Sequence, residues 1–271
     1  MSERVEPDRE VRGAFLVRTG PTQQSWVDPD DPLRLEFDYV QRIAEILRAT
    51  LVQRDRSVRL RVVHLGGGGM TLPRWVAAVR PGTAQVVCEP DAELLEEVRR
   101  KLPLDRRSGI KVRETDGRSG LAAMPDDYAD AVIVDAFDGL HVPGALATSE
   151  FFADVRRVLR PDGLIVMNLA DEAPFRWSRA CLAGVAEQFR QLLVTAETAV
   201  WKGRRYGNFV VAASHRSLPV ADLETAARHA VFGYRAVAGP ALRRWIGGAL
   251  PFTDDAPRDS SGPTGGHTWF G

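Results

Sequence analysis

The sequence predicts a doubly wound α/β fold with a mostly parallel sheet, on three observations. Five short apolar runs of β character alternate with amphipathic helical patterns between residues 60 and 189. Four consecutive glycines, Gly66 to Gly69, follow the first of those runs, and acidic residues stand at the ends of the next three, at Glu89, Asp116 and Asp135. Strands that alternate with helices imply a sheet covered on both faces through right-handed crossovers. Such sheets take ligands beyond the carboxyl ends of their strands.

Residues 1–35 read as a short β segment, with an extended run at Val11 to Arg18, a Gly-Pro turn and a second run at Gln23 to Val27. From Glu36 to Leu51 the apolar residues Phe37, Val40, Ile43, Ile46, Leu47 and Leu51 share one helical face. The main domain spans 36–250. Its β runs are Leu60 to Leu65, Ala84 to Cys88, Ile110 to Arg113, Ala131 to Val134 and Leu164 to Leu169. The helices between and after them are Leu72 to Val79, Ala92 to Leu102, a short turn near Leu121, Ser149 to Leu159 and Ser178 to Phe189. Two later runs, Gln191 to Ala196 and Asn208 to Ala213, flank a turn bearing Gly203 and Gly207 and predict an antiparallel hairpin at the sheet edge. Two short helical patterns follow Leu218. Residues 251–271, rich in Asp, Ser, Pro and Gly, read as a flexible tail.

Composition narrows the function. Arg plus Lys and Asp plus Glu balance at 36 each, which argues against nucleic acid and anionic membrane as partners. The amino-terminal stretch is charged from its second residue and lacks the apolar core of a secretory signal, so a cytoplasmic location is expected. Cys88 and Cys181 are isolated core residues, and no histidine spacing fits a metal site. Among the aromatics, Trp75, Phe151 and Phe152 fall on core helical faces, and Trp201, Arg204, Arg205 and Tyr206 decorate the hairpin.

Gly66, Gly67, Gly68 and Gly69 permit positive φ and remove every Cβ, so a nucleoside is expected to approach that turn. The dinucleotide pattern of three glycines is incomplete, because Thr71 stands where the last would be. Glu89 occupies the position from which an acidic residue takes ribose hydroxyls; the alternative is an exposed carboxylate beside a helix cap. Asp116 with Gly117, and Asp135 with Asp138, end the third and fourth runs, where cap and turn roles compete with a ligand site. His64 reads as a satisfied core histidine. His141, three positions after Asp138, is a candidate substrate contact.

From Gln23 to Ala213 these residues resemble the spermidine synthase family, whose members carry a Rossmann-like fold of the S-adenosylmethionine-methyltransferase type behind a small β domain. Gln24-Ser25 and "EFDYVQRI", "HLGGGG", "CEPD", "TDG" and "DAFDG" are similar to successive motifs of that family. The resemblance implies Glu89 on ribose, Asp116 near adenine, Asp135 beside the reacting amine, Gln24 and Tyr39 at the ligands, and a homodimer. It also exposes two departures. Gly69 stands where the family has an Asp that holds the aminopropyl ammonium, and Tyr39-Val40 stands for a Tyr-His pair.

The expected chemistry is alkyl transfer from a sulfonium nucleoside, decarboxylated S-adenosylmethionine or S-adenosylmethionine, to a small amine. Asp135 would take the amine proton, and Asp138 would favour the amine's cationic form on arrival. Aminopropyl transfer comes first. Methyl transfer is the alternative, because of Gly69, and a non-catalytic nucleoside-binding protein is the third reading.

Overall fold

The computed structural model describes residues 3–20, 22–230 and 233–264. Strands β1 (Val5–Pro7), β2 (Phe15–Thr19) and β3 (Thr22–Val27) form a small antiparallel sheet. Helix α1 (Asp38–Leu47) continues into one π-helical turn over Arg48–Val52. The alternating part is β4 (Arg61–Leu65), α2 (Thr71–Val79), β5 (Ala84–Glu89), α3 (Ala92–Lys101), β6 (Ile110–Glu114), α4 (Gly117–Ala122), β7 (Ala129–Val134), α5 (Ser149–Val158), β8 (Leu159–Asp171) and α6 (Arg176–Gln188). It is followed by β9 (Gln191–Glu197), α7 (Thr198–Trp201), β10 (Gly207–Ser214), α8 (Val220–His229), β11 (Tyr234–Ala238) and α9 (Gly239–Ile246).

The main sheet has eight strands in the order β11-β9-β10-β8-β7-β4-β5-β6. Pairing is parallel from β8 through β6 and antiparallel at β8-β10, β10-β9 and β9-β11. Every residue of β7 is buried, because helices cover both faces. On one face Val40, Ile43 and Leu47 of α1 and Trp75 of α2 pack on Val62, Ile133 and Val210. On the other, Phe151, Phe152 and Val155 of α5 and Leu182 and Val185 of α6 pack on Val132, Ile165 and Val211. The small sheet seats Val5, Val17 and Val27 on Met70, Val87 and the Leu94, Leu95 and Val98 face of α3. No helix among the described residues is long and apolar enough to cross a membrane.

The strand order turns at β4, between β5 and β7, and this places the crevice at the carboxyl ends of those strands. At the opposite edge the buried Asp130 carboxylate pairs with Arg54 at 3.0 Å and Arg160 at 3.0 Å and accepts Arg61 N–H at 2.8 Å. Asp130→Ala should cost about 2 kcal/mol, the worth of a hydrogen bond to a charged group, read as a lower urea midpoint. An unchanged midpoint would show that both guanidiniums are as well served by water.

Three sequence expectations need correction. The small sheet has a third strand, β1, in a stretch too short and charged to show a pattern. Strand β11 lies outside the β9-β10 hairpin and forms the sheet edge, between the two helical patterns that follow Leu218. Residues 251–264 are not a free tail: Ser149 N–H donates to Phe252 O at 2.8 Å, Trp177 Nε1 to Arg258 O at 2.7 Å, and Ser260 N–H to Val142 O at 3.0 Å. The polar composition that reads as flexible supplies these bonds. Residues 265–271 lie outside the described residues.

Candidate active site

The turn after β4 is held by its neighbours, since Gly66 N–H donates to Cys88 O at 2.9 Å and Asp135 N–H donates to Leu65 O at 2.9 Å. Gly66 has φ +93°, and a Cβ there would lie 2.2 Å from the Asp135 carbonyl oxygen. A Cβ on Gly68 would meet Ser25 Oγ at 2.6 Å, and one on Gly69 would meet Val27 Cγ2 at 2.5 Å. The chain itself therefore approaches much of the glycine run, where the sequence had a ligand do so. Thr71 also has a role of its own: its hydroxyl donates to Trp26 O at 2.9 Å and ties α2 to the small sheet.

A cavity of about 450 Å³ opens over this turn. Gly66, Gly67, Gly68, Glu89, Asp116 and Gly117 line one part of it, and Gln24, Tyr39, Asp135 and Asp138 line another. Glu89, which ends β5, accepts Gly67 N–H at 2.9 Å and Gly68 N–H at 3.3 Å on one oxygen and Asp91 N–H at 3.1 Å on the other. Asp116 caps α4 through Ser119 N–H at 2.8 Å, a bond that holds its carboxyl below the usual carboxylate range. Its cap role and its place on the lining coexist. Gln24 Nε2 donates to Gly139 O at 3.1 Å and joins β3 to the loop after β7.

Asp135 directly follows β7 and is half-buried. Burial pushes its carboxyl up to about 6, against hydrogen bonds from Asn168 and Tyr39 that favour the ionised form. Asn168 Nδ2 donates to Asp135 Oδ1 at 3.0 Å and its own Oδ1 accepts Asn208 Nδ2 at 2.9 Å. The buried Arg42 guanidinium, paired with Asp38 at 2.8 Å, donates to Asn208 O at 3.4 Å. Burial beside Asp135 raises the Tyr39 phenol well above its usual range, so Tyr39 stays a donor. Asp135 thus sits at the end of a hydrogen-bonded chain from α1, β8 and β10. Asn168 and Asn208 were missed from sequence, although a lone Asn inside the apolar run "LIVMNLA" is a signal of a buried polar partner.

The charged lining is mostly acidic. Glu36, Glu89, Asp91, Asp116, Asp135 and Asp138 face it, against the guanidiniums of Arg4 and Arg118. Both guanidiniums are spent, Arg4 on Asp91 at 2.6 Å and Arg118 on Asp254 at 2.5 Å. His64 is the core histidine expected, with Nε2 2.9 Å from Gln85 Oε1, and burial lowers its pKa to about 4, so the ring is neutral. Among the described residues no group of three or more His, Cys, Asp or Glu is placed to hold a metal ion.

Two candidate residues lie elsewhere. Gly69 is not on the lining; it packs on Val17, Ser25 and Val27. His141 turns its ring away, with Nδ1 2.5 Å from Ser260 O and Gly262 against its edge, because the docked 251–264 segment occupies that side. Asp138 is exposed at the rim, its backbone paired with that of His141. Of the hairpin residues, Tyr206 donates to Leu140 O at 3.1 Å and Trp201 meets Phe209 and Trp245 edge to face.

Residues 63–167 match a methyltransferase-domain family model. A polyamine aminopropyltransferase of Chromobacterium violaceum is 29% identical over 148 residues, 54% of each chain, so the chain spans about half the length of the curated relatives it matches. The spermidine synthase of Thermotoga maritima shares the fold with a TM-score of 0.57 at 15% identity, over 93% of this chain and 77% of that one. The crystal structure of a probable spermidine synthase from Corynebacterium glutamicum superposes with a TM-score of 0.86, at 30% identity over 92% of both chains. A likeness of that identity over nine-tenths of both chains means that this chain belongs to the spermidine synthase family.

Proposed function

We propose that the protein is an aminopropyltransferase that takes decarboxylated S-adenosylmethionine and a small amine. The observation that carries this reading is the half-buried Asp135, between Tyr39 and Asn168, in a cavity lined by six carboxylates, of which Asp91 and Glu36 have guanidinium partners in Arg4 and Arg34, against two guanidiniums. A sulfonium and an amine both arrive as cations, and such a lining favours them over the water they leave.

Glu89 takes the ribose hydroxyls, the turn at Gly66 to Gly68 with Gln24 nearby passes under the nucleoside, and Asp116 with Gly117 borders the adenine. Tyr39 and Asp135 face the reacting nitrogen. The ammonium gives its proton to Asp135, and the freed lone pair forms an N–C bond to the propyl carbon as the C–S bond breaks. That electron pair stays on sulfur, and methylthioadenosine leaves neutral. Asp138, on the lining and in no ion pair among the described residues, supplies the counter-charge for which Gly69 has no side chain. A methyl donor would bring a carboxylate into this acidic cavity, which counts against methyl transfer even with Gly69 in place of an acid. The assembly implied by the resemblance is a homodimer, which light scattering of the purified protein tests.

Glu89→Ala should weaken methylthioadenosine binding by about 1.5 to 3 kcal/mol, the worth of charge-assisted hydrogen bonds. Calorimetric titration with unchanged affinity removes the ribose assignment. Release of methylthioadenosine from the decarboxylated donor, only when an amine is present, tests the whole reading.

A further inference from the structure

A second cavity, of about 670 Å³, lies between the first turns of α6, the end of α9 and the 258–261 segment, and shares no lining residue with the first. Four arginines face it, Arg176, Arg179, Arg244 and Arg258, and none of them enters an ion pair among the described residues. The Arg179 guanidinium lies over the Trp245 ring at 5.0 Å, which fixes the plane of its fork. Its Nε is buried and has no hydrogen-bond partner among the described residues. Buried N–H groups are paired in folded proteins, so an unpaired one on a fixed fork calls for an acceptor. The only carboxylate on the lining among the described residues, Asp259, already accepts Gly144 N–H at 2.7 Å.

We propose that this cavity binds a phosphate-bearing anion. Guanidinium forks match phosphate oxygens two at a time, and four guanidiniums against one carboxylate suit a multiply charged ligand better than a single carboxylate. The site is independent of the reaction assigned to the first cavity. Trp177 and Phe252, also on its walls, offer ring surface to a base attached to the phosphate.

Titration calorimetry of the full chain with inorganic pyrophosphate, and separately with ATP, tests the proposal. Pyrophosphate should bind saturably and more weakly as salt rises. The Arg176→Gln, Arg244→Gln double variant, both positions exposed and so harmless to folding, should lose about 10-fold or more in affinity. Asp259→Asn keeps an acceptor for Gly144 and removes the opposing charge, so it should tighten binding. Glu89→Ala should leave it unchanged. ATP binding well above pyrophosphate identifies a nucleotide that uses the ring faces; equal affinities identify the free phosphate group. Absence of saturation by either at millimolar concentration, an unaltered affinity in the double variant, or loss of binding in Glu89→Ala overturns the assignment.

Discussion

Replacing Asp135 by Asn is expected to lower turnover about 100- to 10,000-fold while methylthioadenosine affinity stays near that of the wild type. Asn keeps the size of the side chain and can still accept from Asn168, but it cannot take a proton. A turn residue would tolerate the change, since Asn serves nearly as well as Asp in turns. The pH profile gives the sign. Asp135 works as a base only when ionised, and its carboxyl sits at about 6, so wild-type kcat/KM should fall as pH drops through about 6. Bound cations favour the carboxylate, so the limb in kcat should lie lower still. Asn168→Leu removes a hydrogen bond that favours the charged form and should move the limb upward.

The same shift acts on stability in a defined direction. The folded carboxyl has its pKa raised above the ordinary value of 3.8, so the folded state holds that proton more tightly than the unfolded chain. Its stabilising contribution is fully present below the unfolded value and is lost as pH rises through about 6. Asp135→Asn should therefore be no less stable than wild type at neutral pH. A variant with low activity and lower stability together would place Asp135 in a structural role.

Gly66→Ala should destabilise the fold by about 2 to 5 kcal/mol, combining roughly 1 to 2 for a left-handed residue with roughly 1 to 3 for overpacking. Here the obstacle is backbone: the new Cβ would sit 2.2 Å from the Asp135 carbonyl oxygen, which cannot swing aside without moving the end of β7. Gly82→Ala is the control, because Gly82 also has positive φ, +85°, but its Cβ would meet nothing within 4 Å. Urea unfolding should show the larger loss at Gly66. Equal losses would mean that strain alone explains the glycine and that the close approach of the two strand ends carries no energy.

The parallel core was legible because strands buried on both faces carry near-continuous apolar runs, and β4, β5, β7 and β8 each hold one, at Val62 and Val63, Val86 to Cys88, Ala131 to Val134 and Leu164 to Met167. β11 was not, since "YRAVA" at a sheet edge mixes exposed and buried positions within five residues. The acidic residues at the strand ends were legible from position alone, because topology brings every such end to one crevice. What meets a residue from far along the chain was not. His141 is 119 residues from the Ser260 carbonyl that turns it aside, and Gly69 faces strands whose packing no local pattern encodes. The relay through Asn168 and Asn208 joins residues 40 apart on antiparallel strands, so only the register of β8 and β10 reveals it.

The measurement that bears most directly on the aminopropyltransferase reading is mass spectrometry of reactions that contain the purified protein, a panel of small diamines, and either decarboxylated S-adenosylmethionine or S-adenosylmethionine. The account predicts methylthioadenosine and an aminopropylated amine in equal amounts from the decarboxylated donor, abolished by Asp135→Asn and absent with S-adenosylmethionine. Formation of S-adenosylhomocysteine and a methylated amine, or no methylthioadenosine with any diamine while the nucleoside still binds, would contradict it.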